Sequence, residues 1–441
     1  MIIEAIILAV LCLSFILLAA TRWMGYRTLL LLGRDQREFF DEHRAETMVK
    51  NAATAEECPG DIADGEPGVP SPQSLSLTDV PEVSVVVVSE GDGALLEANL
   101  PYILHQMQEG VEVIVVDVST ADTHTEVSTS DALKRLRRTF PQIRQTYVPA
   151  TCRNVDRRQA GLTLGIRAAR APWVALTCPD CVPESYEWLS QMLALASGDD
   201  VDMVMGYANY DVREGADGVR RAAFERLKRF VFYARSALNG RAVGADGCNI
   251  LLRRDWFVGN GCFSQTLRTS FDAVSLAVDA HIERGRTALA LCPETVVRQQ
   301  IPDDTRSFDA DRAAQFRANR HRSFRGRRLM WRETIGDVGL YGFLLAIVAY
   351  VGCRVLRYLP CELDCGMLTS LVPYEAFYRP LWLATDVPVA LLLVASCVIP
   401  VVVFRSITRM FDVPSFGVYP LCWHLLRPWR AMSVRWQCRK R

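Results

Sequence analysis

Two short runs constrain the fold of this chain more than anything else in it: VSVVVV from Val83 and VEVIVV from Val111. Neither alternates cleanly between apolar and polar, so each reads as a strand covered on both faces, as in a parallel sheet. Between them Gly91-Asp92-Gly93 breaks the chain, and Leu95, Leu96, Asn99, Leu100 and Ile103 recur at helical spacing. A helix through Leu133 and Leu136 leads to a third strand near Thr146–Val148. From Arg157 to Ala171 the apolar positions Ala160, Leu164 and Ala168 predict a helix, with Gly165 inside it as a mark of close packing. It feeds a short apolar run, Val174-Ala175-Leu176, that ends in Thr177-Cys178-Pro179-Asp180-Cys181. Asp180 is thus expected at the C-terminal tip of a buried strand, where open α/β sheets bind ligands. Met203–Met205 and Asn249–Leu252 read as further strands and Ala222–Leu238 as an amphipathic helix. Strands alternating with helices predict an α/β fold with a doubly wound, mostly parallel sheet.

The 441 residues, half of them hydrophobic, suffice for one large domain plus membrane segments. Lys and Arg number 50 against 50 Asp and Glu, so no basic excess marks a nucleic-acid partner and none is expected. Ile2–Ala20 is nearly continuous apolar sequence, long enough for a membrane helix of roughly 20 residues. Arg22, Arg27, Arg34 and Arg37 follow it, the order of an uncleaved anchor with its N-terminus outside. The predicted organisation is an anchor over 1–21, then a basic juxtamembrane segment and an acidic flexible linker over 22–80. A folded domain occupies 81–330. Two transmembrane helices with a short external loop follow over 331–404, and a basic cytoplasmic tail over 405–441. This makes a multi-pass protein of the cell inner membrane with its domain cytoplasmic. Glu4 sits near the outer interface, and Asp386 reads either as an intramembrane acid or as a carboxylate paired near the membrane face. The 14 cysteines are scattered in a large chain, against a disulfide framework, although Cys361 and Cys365 either pair in the external loop or remain free thiols.

Several polar residues invite chemistry. Asp117, ending the second strand, either accepts paired donors from a uracil-like edge or sugar hydroxyls, or caps the Ser119-Thr120 turn. Arg157 and Arg158, ahead of a helix, suit phosphate or a solvated face. Cys178 and Cys181 have the spacing of a redox pair, but no other thioredoxin-like feature accompanies them. A zinc site built on the same pair finds no two further ligands nearby at a suitable spacing.

Taken in series, VSVVVVSEGDGALLEANLPYILHQ, VEVIVVDVSTADTHTEV and GLTLGIRAARAPWVALTCPDCVPESYEWL resemble the nucleotide-binding half of a membrane-bound family-2 glycosyltransferase, of a sort common in Bacteroidetes-like bacteria. The resemblance runs from about Val83 to Arg328. It implies a GT-A fold and transfer of a sugar, with inversion, from a nucleotide diphosphate sugar to a hydroxyl acceptor. The anchors imply a lipid bilayer and a lipid-linked or membrane-proximal glycan acceptor at the cytoplasmic face. Asp92 and Asp117 match acids that contact nucleobase and ribose, and Arg157 and Arg158 fall near the diphosphate. Asp180 matches the second acid of a motif that holds a divalent metal, Mn or Mg, while Cys178 stands in place of the first. Asp272 lies in the segment that carries the general base, with Ala273 at the base position in one register and Asp272 in the next. Gln315, Arg317 and Arg320 resemble a segment that closes over the diphosphate; the two arginines are three apart on one helical face, which equally suits a juxtamembrane helix against anionic lipid. Two functions remain in view: an active transferase, and an inactive nucleotide-sugar-binding or scaffold subunit that lost acids at 178 and 273.

Overall fold

The structure is a computed structural model describing residues 25–45, 82–106, 110–120, 127–149, 156–198, 200–211, 217–261, 263, 272–300, 315–335, 391, 394–395 and 398–417. The chain divides into two compact units, one formed by Leu29–Gly326 with Met410–Pro414, the other by Met1–Thr28, Arg327–Arg409 and Ser415–Arg441.

The first unit opens with helix α1, residues 25–45, most of which belongs to it. There follow β1 (Val83–Ser89), α2 (Gly93–Leu104), β2 (Val111–Asp117), α3 (Thr129–Thr139), β3 (Arg144–Tyr147), α4 (Arg157–Ala168), β4 (Trp173–Thr177) and β5 (Cys181–Pro183). Then come α5 (Trp188–Ala196), β6 (Met203–Met205), β7 (Ala208–Tyr210), α6 (Asp217–Leu238), β8 (Ile250–Arg253), α7 (Arg254–Gly259), α8 (Ala273–His281), β9 (Thr287–Leu289) and β10 (Val297–Gln299). Seven strands form one sheet in the order β3-β2-β1-β4-β8-β6-β9, and β5-β10-β7 form a small second sheet. In the large sheet only β8 runs antiparallel to its neighbours, β4 and β6.

The unbroken valine run explains the layering. Val83, Val85 and Val87 of β1 point into a core with Leu96, Leu100 and Ile103 of α2 and Trp188 and Met192 of α5. Val86 and Val88 face the other way, towards α4, where a Cβ added to Gly165 would meet Val86 Cγ1 at 2.4 Å and one added to Gly161 would meet Val118 Cγ1 at 2.6 Å. Both faces of β1 are therefore covered, as a parallel strand requires. Asp156 caps α4 by accepting from Gln159 N at 2.9 Å, and Ser128 caps α3 in the same way.

Three boundaries differ from the sequence expectations. Residues 41–45, read as flexible linker, complete α1, which docks on β9 and on the start of α5: Gln36 donates to Leu289 O at 2.6 Å, and Arg44 meets Glu187 at 2.5 Å. Linker-like composition yields here to long-range contacts that no local pattern encodes. Met410–Pro414, assigned to the tail, belong to the first unit, with Phe411 buried against Tyr207 and Phe230. The unit itself ends at Gly326 rather than at residue 330.

In the second unit, residues 25–28 and 398–409 are helical, and the rings of Tyr26 and Phe404 lie edge to face at 6.2 Å. Leu391, Val394, Val398 and Val402 are exposed at helical spacing. Among the described residues no helix is long and apolar enough to cross a membrane. The expected span over 1–21, most of the other two, Glu4, Cys361, Cys365 and Asp386 lie outside the described residues.

Candidate functional site

The sheet order sets where a ligand binds. From β1 the chain moves to β2 and β3 on one side and then crosses to β4 on the other, so the winding reverses between β1 and β4. Crevices at the carboxyl ends of strands flanking such a switch point are where open sheets bind ligands. β1 ends in Ser89, followed by Glu90, Gly91 and Asp92; β2 ends in Asp117; β4 ends in Thr177, followed by Cys178 and Asp180. Gly91 has φ of 103°, a turn that a side chain would strain. Asp92 opens α2 without a side-chain capping bond and is half-buried. Asp117 accepts from Ser119 N at 2.9 Å, so the turn-capping use is realised through one oxygen of a half-buried carboxylate.

Around Asp180 the turn is pinned from three sides. Asn99 of α2 donates to Pro179 O at 2.9 Å, Gln300 N to Asp180 O at 2.8 Å, and Cys181 N to Cys178 O at 3.1 Å. The Asp180 carboxylate accepts from Gln299 Nε2 at 2.7 Å. Burial holds it above the usual carboxylate range, against the opposing pull of Gln299 and Arg158. Beside it lies a feature the spacing argument missed. Because β8 runs antiparallel to β4 with Leu176 opposite Ile250, continuing the register sets Cys178 opposite Cys248. Their sulfurs are 3.0 Å apart, and the sulfurs of Cys178, Cys181 and Cys248 all lie within 4.8 Å of one another. The earlier count of zinc ligands is thereby corrected: a third thiol arrives from 70 residues away. Cys178 is the acid of the three. The Cys181 and Cys248 thiols and the Arg158 guanidinium, whose Nη2 is 3.1 Å from its sulfur, hold it well below the ordinary thiol range despite burial. Burial and the same contacts push Cys181 well above that range.

A polar chain leads from Asp180 to Asp246 and Arg229, whose charge acts on Asp272. Gln299 bonds Asp180 with its amide nitrogen and accepts from buried Arg226 with its oxygen; Arg226 Nε donates to Asp246 at 2.7 Å. Asp246, also 3.8 Å from Arg229, is held below the usual range: burial alone would raise it, but the charges of Arg226 and Arg229 prevail. Asp272 sits at the head of α8 in the left-handed region, with φ of 54°. Arg322 lies 3.6 Å from its carboxylate and also donates to Tyr233 Oη at 2.7 Å and Ser275 Oγ at 3.0 Å. Burial keeps Asp272 above the usual carboxylate range, with Arg322 and Arg229 opposing.

The structure groups Asp92, Asp117, Arg158 and Asp180 around the strand tips, with Glu90 and Asp180 both close enough to act on the Arg158 charge. Arg157 behaves differently from the expectation of a diphosphate ligand. Its guanidinium donates to the carbonyls of Val118 at 2.8 Å, Ser119 at 3.1 Å, Val148 at 2.9 Å and Pro149 at 3.3 Å. It is a positioning residue that ties the β2 tip to the β3 tip. Ala273 is buried at the start of α8, directly after Asp272. Gln315 and Arg317 lie on one helical turn, and Arg320 follows it with its guanidinium 6.0 Å from the Phe316 ring. The residue of this segment that reaches Asp272 is Arg322, which sequence reasoning passed over, along with Arg226, Asp246 and Gln299. Arg226 gave a weak signal because arginine on an amphipathic helix reads as its wet face, and Arg322, Asp246 and Gln299 sit in loops or a three-residue strand that no periodicity marks.

The expected hard cation does not fit these donors. Mn and Mg take oxygen ligands; this tip offers one carboxylate, engaged by Gln299, among three thiols. Comparison with known proteins adds the following. Residues 84–259 match the family described as Glycosyl transferase family 2. No curated protein matches the chain significantly. Among solved structures it is similar to the mannosyltransferase PcManGT from Pyrobaculum calidifontis, determined with GDP-Man and Mn2+, at 16% identity and a TM-score of 0.45, over 88% of this chain and 98% of that one. A likeness of that degree carries nothing about substrate or metal.

Proposed function

Because residues 84–259 match the family described as Glycosyl transferase family 2, we propose that the chain transfers a sugar from a nucleotide diphosphate sugar to a hydroxyl acceptor with inversion. The observation that carries this reading is the convergence of Asp92, Asp117, Asp180 and Arg158 at the switch point of a sheet that lies within the matched residues. Asp92 and Asp117 bind the nucleoside, since carboxylates accept paired donors from base and ribose. Arg158 faces the diphosphate and stabilises the charge that grows on it as the glycosidic bond breaks. Asp272 takes the proton of the attacking hydroxyl, and the Arg322 contact favours its ionised form. Gln315, Arg317 and Arg320 close over the diphosphate from the other end of the Arg322 segment. No step passes through a hard metal ion, for which the donors are unsuited.

We place the domain at the cytoplasmic face of the cell inner membrane, acting on a lipid-linked or membrane-proximal acceptor. The exposed stripe Leu391, Val394, Val398 and Val402 supports a lipid-facing helix. Asp272→Asn tests the transfer: with nucleotide sugars offered to the full chain in lipid, kcat is expected to fall by about 10²–10⁴-fold with donor affinity kept. Undiminished kcat removes Asp272 from the chemistry. The second reading, a nucleotide-sugar-binding scaffold, is favoured by the hydrogen bond that already occupies the lone carboxylate, Asp180. Saturable donor binding with no turnover for any acceptor would select it.

A further inference from the structure

We propose that Cys178, Cys181 and Cys248, with Asp180, form a binding site for a thiophilic divalent cation of the Zn2+ type at the tip of β4. The inference stands on the thiol geometry and does not need the transferase reading. Zinc takes four ligands in a tetrahedron, with Zn–S bonds of about 2.3 Å, which sets sulfurs about 3.8 Å apart. Here three sulfurs already lie within 4.8 Å of one another, and Asp180 stands just outside that group with its Oδ1 atom 3.7 Å from Cys181 Sγ, so a small rotation of its carboxylate completes the set. The Cys178 and Cys248 sulfurs, at 3.0 Å, are too far apart for a disulfide of about 2.05 Å and need part by under about 1 Å to become two vertices of the tetrahedron.

The ligands are held in place before any metal arrives. The Cys178–Cys181 turn is fastened by Asn99, Gln300 and its own backbone bond. Cys248 N donates to Asp246 Oδ1 at 3.1 Å, and the next residue, Asn249, is locked by Tyr207 O, Thr295 O and the Trp188 indole. Gln299 orients the Asp180 carboxylate from behind, the role that partners of metal ligands play. Charge also suits the occupant. Three thiolates and a carboxylate around a dication leave excess negative charge, and Arg158 lies against Cys178 to offset it. On binding, each protonated thiol gives its proton to solvent and its sulfur lone pair to the metal; nothing is oxidised or reduced. Mn and Mg, which prefer oxygen, are rejected by the same set.

The test uses the reduced full chain in lipid or detergent, loaded with Zn2+, Mn2+ or Mg2+ in separate arms, desalted and assayed for bound metal; Co2+ serves as a spectroscopic probe. The expected result is one equivalent of Zn2+ lost specifically in Cys248→Ser and Cys181→Ser, with affinity down by more than about 100-fold, the upper cost of losing an outer-shell partner. Cys292→Ser, a buried free thiol outside the cluster, keeps it. Co2+ should show a thiolate charge-transfer band in the parent and in Cys292→Ser only. Zn2+ should also raise the melting temperature of the parent, a readout that needs no variant to fold. Three outcomes overturn the proposal: folded parent protein that neither retains Zn2+ nor is stabilised by it, Mn2+ or Mg2+ binding as tightly, or a Cys178–Cys248 disulfide in protein alkylated at lysis. Donor binding and turnover are separate measurements, so loss of the metal site and failure of the transferase reading are told apart.

Discussion

Glu112 is a charged residue whose side chain is 3% exposed at the second position of β2, ahead of a run of valine and isoleucine. It survives there because Ser84 Oγ donates to it at 2.6 Å, Arg170 N and Nε at 3.1 and 3.0 Å, and Arg144 through a charged bond. Burial alone would raise its carboxyl, but these donors bring it below the usual range. A depressed folded pKa means stability that is present above the unfolded value of about 4.3 and lost as pH falls through the folded one. Glu112→Gln is therefore expected to cost about 2 kcal/mol near neutrality, with the gap to the parent closing in acid; urea midpoints across pH check this. Asp272 has the opposite sign. Burial raises it, so as a base it is ionised only above the usual carboxylate range, and Arg322→Gln, which removes an opposing charge, should move the acid limb of kcat/KM to higher pH. A limb that stays put would show that Arg322 does not tune this carboxylate. Asp180 was legible because an acid at the tip of an apolar strand stands out, and Asp272 only through the resemblance of its segment to one that carries a general base. Arg322 was not, since its value lies in a contact with a residue 50 positions earlier.

At the scale of elements, the glycine singled out inside α4 proves to be a packing device. A Cβ at Gly165 meets Val86 Cγ1 at 2.4 Å and Val116 Cγ2 at 3.0 Å, and β-branched side chains in a strand have little room to turn away. Gly165→Ala gains up to about 1 kcal/mol of helix propensity but overpacks the α4 layer at a cost of about 1–3 kcal/mol. Net destabilisation is expected, seen as a lower urea midpoint at unchanged m-value, and a more stable variant would contradict the contact. The helices and strands of the sheet were readable because burial on one or both faces is written locally, as period and run length. α1 was misread over residues 41–45 because its anchors, Glu187, Leu289 and Glu294, lie far along the chain.

For the whole molecule, the first unit is closed by residues from both ends of the sequence: Leu29 begins it and Met410–Pro414 complete it. Phe411, 2% exposed, packs on Tyr207 at 4.8 Å and on Phe230 at 5.5 Å between ring centroids. Truncating it to Ala should destabilise this unit by about 3–5 kcal/mol, measurable by urea unfolding of the full chain. The sequence by itself determined the layered parallel sheet and the acids at its tips, since consecutive apolar residues and their breaks encode burial without reference to distant partners. Only the tertiary structure decided what surrounds those acids. The order and direction of strands, which no local pattern carries, set β8 antiparallel beside β4 and so brought Cys248 to Cys178, turning an apparent loss of a carboxylate into a cluster of thiols.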